Sequence, residues 1–81
     1  MKVSEIMTSI LEEKDMTMAQ LGRAVGIEDK KASDLTRKRI NQKNISVNVL
    51  SEMLAAMGYT MVVVPTGPKL KEGEYEVTID G

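Results

Sequence analysis

Two glycines four residues apart, Gly22 and Gly26, constrain this chain more than any other feature. Gly26 follows Val25, the last apolar residue of a stretch that begins at Met18. A glycine at that point can take the left-handed conformation that ends a helix cheaply. Gly22 falls where a second helix, starting almost at once after the stop, would cross the first. A side chain larger than alanine there would force the two helices apart. Leu21 and Val25 then face the core beside the crossing, Ile27 fills the turn, and Ala32 and Leu35 anchor the second helix of the pair by its buried side.

The flanking segments supply a bundle around this corner. Ser4 is expected to cap a first helix over about 4–14, with Ile6, Met7, Ile10 and Leu11 on one face. Thr17 with Gln20 three residues later reads as a capping box for a helix over about 18–25. A third helix spans about 29–39, with Asp29 or Glu28 favouring its amino end and Arg37, Lys38 and Arg39 its carboxyl end. Its apolar content is low. Residues 41–45 are polar and aperiodic, so they read as a loop. Ser46 caps a fourth helix over about 47–57, in which Val49, Leu50, Met53, Leu54 and Met57 form a stripe, and Gly58 closes it.

From Tyr59 the period changes. Residues 59–65 read as a strand stopped by Pro65, and residues 74–80 as a second one in which Tyr75, Val77 and Ile79 alternate with Glu76, Thr78 and Asp80. The expected fold is thus mainly α: one domain of four helices followed by a two-stranded β-hairpin. The run Met61 to Val64 is apolar on both faces and needs cover on both. A second subunit is the natural cover, so a two-fold dimer is expected.

Composition narrows the function. An 81-residue chain has room for one modest core, and with no Phe or Trp and two Tyr that core must be aliphatic, the seven Met filling gaps rather than forming an adaptable binding surface. There is no Cys for a disulfide or thiolate site and no His, the commonest general base and metal ligand. No catalytic constellation or cofactor is expected, and adjoining acids such as Glu12 and Glu13 belong to a solvated face. No stretch approaches the ~20 apolar residues of a membrane span, and no secretory signal is evident, so a cytoplasmic protein is the default.

The net charge of −1 hides a sharp asymmetry. Between residues 30 and 43 lie Lys30, Lys31, Arg37, Lys38, Arg39 and Lys43 against one carboxylate, Asp34. Such a cluster on a polar helix is commonly a solvated face. Here it falls on and just after the helix that the Gly26 corner presents.

The segment from Thr17 to Leu35 resembles the helix-turn-helix of the Cro and phage-repressor (XRE-like) family, and the resemblance extends over about residues 4–64 through the run Ser46-Val47-Asn48-Val49-Leu50 and Met57-Gly58-Tyr59. The chain departs from the family at Met18, where glutamine is frequent, and at Gly22, where alanine is commoner. The resemblance implies a λ-repressor-like domain that regulates transcription for a phage or mobile element, with its third helix in the major groove of a palindromic operator. Carried over position by position, the reading surface is Asp29, Lys30, Lys31, Ser33, Asp34 and Arg37. Lysine or arginine there would donate to guanine, and Asp34 or Asp29 would accept from a cytosine amino group. Lys38, Arg39 and Lys43 would hold phosphates.

A second reading keeps the fold and changes the partner. The acidic first helix and the carboxylates beside the basic helix suit a protein-binding module, such as an antitoxin or a phage-encoded inhibitor.

Overall fold

In the computed structural model, which describes residues 1–67 and 69–78, the chain is mainly helical. Helix α1 (Val3–Glu13) buries Ile6, Met7, Ile10 and Leu11, the stripe its period dictates. It starts two residues earlier than a Ser4 cap would allow: Lys2 is the capping position, and its backbone N donates to the Glu5 carboxylate at 3.1 Å. Helix α2 (Met18–Ala24) opens on the reciprocal pair expected there, Gln20 N donating to Thr17 Oγ1 at 3.1 Å and Thr17 N to Gln20 Oε1 at 2.8 Å.

The third helix departs from its expected span. Residues Asp29–Lys31 form a single 3₁₀ turn, and α3 proper runs Ala32–Ile40. Neither Glu28 nor Asp29 caps it: the turn has no side-chain cap, and the Asp29 carboxylate points instead toward Arg23. Helix α4 (Val47–Ala56) begins where Ser46 Oγ accepts from Val49 N at 3.1 Å, and it buries Leu50, Met53 and Leu54.

Three of the helix stops share one geometry. The residue after the cap turns left-handed at Asp15 (φ 54°), Gly26 (φ 88°) and Gly58 (φ 82°). The following amide then reaches back: Met16 N to Leu11 O at 2.9 Å, Ile27 N to Gly22 O at 2.9 Å, and Tyr59 N to Leu54 O at 2.8 Å. This six-to-one closure satisfies carbonyls that a helix end otherwise leaves without partners.

Ile6, Met7, Ile10, Leu11, Leu21, Ile40, Leu50, Met53, Leu54 and Met57 make one aliphatic core drawn from all four helices. Each such side chain contributes about 1.5–3 kcal/mol when fully withdrawn from water. Met7, Met53 and Met57 are buried and Met16 and Met18 pack on the same cluster, so most of the methionines fill the interior. Ile27 and Leu35 are only half-buried and are not among the side chains packed on that cluster.

The expected hairpin of 59–65 with 74–80 does not appear among the described residues, and residues 79 and 80 of its second strand lie outside them. Residues 60–67 are exposed. The chain then turns at Gly73 (φ 83°), where Glu74 N donates to Lys71 O at 3.0 Å. The returning segment finds a different partner. Met1 N donates to Glu76 O at 2.8 Å and Thr78 N to Met1 O at 2.9 Å, which commits those groups to the start of the chain. No helix among the described residues is long and apolar enough to cross a membrane.

Candidate functional site

What holds α3 in place is a contact without a side chain on one side. A methyl group built on Gly22 would lie 2.5 Å from Thr36 Oγ1 and 2.6 Å from the Ala32 carbonyl oxygen. The expectation that alanine would be tolerated at the crossing is therefore corrected: only hydrogen fits. The Gly22 α-hydrogen that a methyl would replace points at those two oxygens, a weak C–H···O contact that recurs at close helix crossings. Thr36 Oγ1 is fully buried and has no conventional hydrogen-bond partner among the described residues. The buried stripe of α3 is Ala32, Thr36 and Ile40, so Thr36 takes the anchoring role expected of Leu35.

With that stripe facing inward, the helical period turns Asp34, Arg37, Lys38 and Asn41 outward, where they line one shallow open depression. Asp29, Lys30 and Lys31 stand exposed on the preceding 3₁₀ turn, and Lys43 is exposed in the following loop. Ser33 is half-buried at the edge of the same face. Arg39 is also half-buried and lies on the other flank, beside Leu35 in the helical period, apart from the outward face. The nine residues expected to form the site thus divide into an exposed set of seven and two at its margins.

Two arginines in this region are already engaged. Arg37 Nη1 lies 3.6 Å from Asp34 Oδ1, and its Nη2 donates to Ser33 Oγ at 3.5 Å. Arg23 Nε, on α2, lies 3.9 Å from Asp29 Oδ1. All four charged side chains are largely exposed, so each pair is worth at most ~1 kcal/mol. Sequence reasoning missed Arg23 and Asn41. Arg23 belongs because the Gly26 corner folds it back to Asp29. Asn41 belongs because its Nδ2 donates to the Arg37 carbonyl at 2.8 Å, closing the end of the helix.

A second cluster lies elsewhere. Tyr59 and Tyr75 both donate to Glu13 Oε2, at 3.2 and 3.5 Å, with their rings 6.3 Å apart. The Lys14 ammonium sits 5.7 Å from the Tyr59 ring centre. Burial, then the hydrogen bond to Glu13 and the charge of that carboxylate, raise the Tyr59 phenol above its ordinary range. This cluster fastens the returning segment to α1, with both rings packed on the core. Among the described residues no group of three or more carboxylates converges to hold a metal ion.

The chemistry available at the α3 face is that of charge and hydrogen bonding: ammonium and guanidinium donors, two carboxylate acceptors and an amide. No known protein family model, curated protein or solved structure matches the chain.

Proposed function

We propose that this chain is a sequence-specific double-stranded DNA-binding regulator of transcription. On this reading it is a cytoplasmic repressor or autoregulator of phage or mobile-element origin, and its fold is a λ-repressor-like helix-turn-helix. The observation that carries the reading is the exposure of Lys30, Lys31, Arg37 and Lys38 beyond a helix corner fixed at Gly22, with the core behind it. A helix presented this way fits the major groove, where its amino-terminal residues meet base edges.

In this reading Lys30, Lys31 and Arg37 donate to guanine, Asp34 accepts from a cytosine amino group, and Lys38, Arg39 and Lys43 neutralise phosphates. Arg39, half-buried on the far flank, contributes least. The active form is a homodimer on a palindromic operator, built where Val62, Val63 and Val64 lie exposed. That tract is uncharged from Met53 through Pro68, so two copies approach without repulsion. Its β-branched side chains, and a backbone without hydrogen-bond partners among the described residues, suit pairing across a two-fold axis.

Selection of bound duplexes from a random pool at ~150 mM salt tests the proposal, since non-specific attraction is partly screened there. Enrichment of a palindrome with half-sites about one helical turn apart supports it. A pool that stays random refutes it.

The same exposed valines favour one other reading, a protein-binding module of the antitoxin or inhibitor kind. A stoichiometric partner protein that copurifies and survives nuclease treatment would decide for that module.

A further inference from the structure

The two carboxylates carried by the 3₁₀ turn and α3, Asp29 and Asp34, are not scattered among the cations; each stands beside an arginine. Asp34 faces Arg37 at 3.6 Å and Asp29 faces Arg23 at 3.9 Å. Lys30, Lys31 and Lys38 have no carboxylate within ion-pairing distance among the described residues. Arginine is the side chain whose planar fork grips a phosphate with two parallel hydrogen bonds, so a free arginine adds affinity for any nucleic acid. A carboxylate at its side opposes that use twice, by competing for the guanidinium and by repelling the phosphate.

We infer that Asp34 is a specificity-determining residue that works through Arg37, suppressing contact with phosphates and with base pairs unable to satisfy both side chains. The inference rests on the DNA-binding reading. Moving Arg37 onto a phosphate leaves Asp34 without its partner, near a line of negative charge. Moving the pair onto a G·C step is different: guanine O6 and N7 accept from Arg37, and the cytosine N4 amino group donates to Asp34. Only there does each side chain exchange one partner for another. Ser33, held at 3.5 Å from Arg37 Nη2, keeps the guanidinium on the same side of the helix as Asp34.

The test compares the full chain with Asp34→Ala and Asp34→Asn, both at an exposed helix position and so expected to fold. Each protein is titrated with random duplex over a range of salt and then put through duplex selection. The expected result for both variants is about fivefold tighter binding to random DNA, as for release of an exposed ion pair. The salt dependence should steepen by about one phosphate contact. The preference at one G·C position should fall by about tenfold. Lys38→Ala should instead weaken operator and random DNA alike. If the native chain enriches an operator that Asp34→Ala reads equally well, with no gain on random DNA, the inference falls and the DNA-binding reading stands. If the native chain enriches nothing, both fall.

Discussion

Gly22 and Thr36 meet so closely that a methyl group on the glycine would stand 2.5 Å from the threonine hydroxyl oxygen, with the Ala32 carbonyl oxygen 2.6 Å away on the same side. Substituting Gly22→Ala should therefore destabilise the fold. In an open helix the change would gain about 1 kcal/mol of propensity. Here overpacking against a backbone oxygen should outweigh that and leave a net loss of about 1–3 kcal/mol. Thr36→Ala in the same chain should restore only part of it, because the Ala32 carbonyl cannot withdraw. Urea denaturation of the two single variants and the double variant measures this directly; a more stable Gly22→Ala protein would contradict the crossing described here.

The three left-handed stops predict opposite responses to one kind of exchange. Asp15 holds φ 54°, a region that costs a side chain about 1 kcal/mol, so Asp15→Gly should raise stability by up to that amount. Gly26→Ala and Gly58→Ala should each lower it by about 1 kcal/mol, although nothing among the described residues lies within 4 Å of the added methyl at either site. Thermal unfolding of the three variants separates this backbone effect from the steric one at Gly22.

The Tyr59 phenol is raised by burial and by Glu13, which fixes the sign of its pH dependence. An unfolded tyrosine ionises near pH ~10. Because the folded value is higher, the stabilisation is complete below about pH 10 and disappears as pH climbs through the folded value. In a Tyr75→Phe background Tyr59 is the only phenol, and its ultraviolet titration should move to lower pH when Glu13→Gln is added. Two superimposable titrations would show that the carboxylate does not act on it.

Val63 is fully exposed and should be silent in the monomer. Val63→Lys is expected to change unfolding stability by no more than ~0.5 kcal/mol. The same substitution should abolish the proposed dimer, since it sets two ammonium groups against each other across the axis. Sedimentation equilibrium of both proteins at equal concentration distinguishes the outcomes, and an unchanged association constant would move the dimer contact elsewhere.

Replacing Lys30 or Arg37 by alanine should cost ~1–3 kcal/mol on the operator and relax the preference at one base pair. Lys43→Ala, in the exposed loop, should weaken every duplex alike and lower the salt slope by about one. Equal losses on operator and random DNA for all three would overturn the division of roles.

The helical part of the fold was legible because its signals are local. Thr17 with Gln20, Ser46, Gly26 and Gly58 each act within a few residues, and each appears in the geometry expected. What could not be read depended on distant neighbours. Hydrophobicity ranks leucine above threonine, yet the space opposite Gly22 admits Thr36 and leaves Leu35 half-buried. Asp29 has the character of a cap, but the turn carries Arg23 within its reach. Valine-rich alternation announces an extended chain without choosing its partner, and the groups at Glu76 and Thr78 pair with Met1. No spacing rule links Glu13 to hydroxyls 46 and 62 residues away. At the site, exposure of the basic residues followed from periodicity, whereas their ion pairing required the corner to be built.

The three helix stops also bear on how quickly the chain organises itself. Each reversal closes through amides that reach back no more than five residues, so the direction of the next helix is settled before any remote segment arrives. Proteins dominated by such short-range closure form their structure in microseconds to milliseconds. A newly made copy of the helical body should therefore reach its folded shape within that time, so that assembly of the proposed dimer would be limited by encounter rather than by folding.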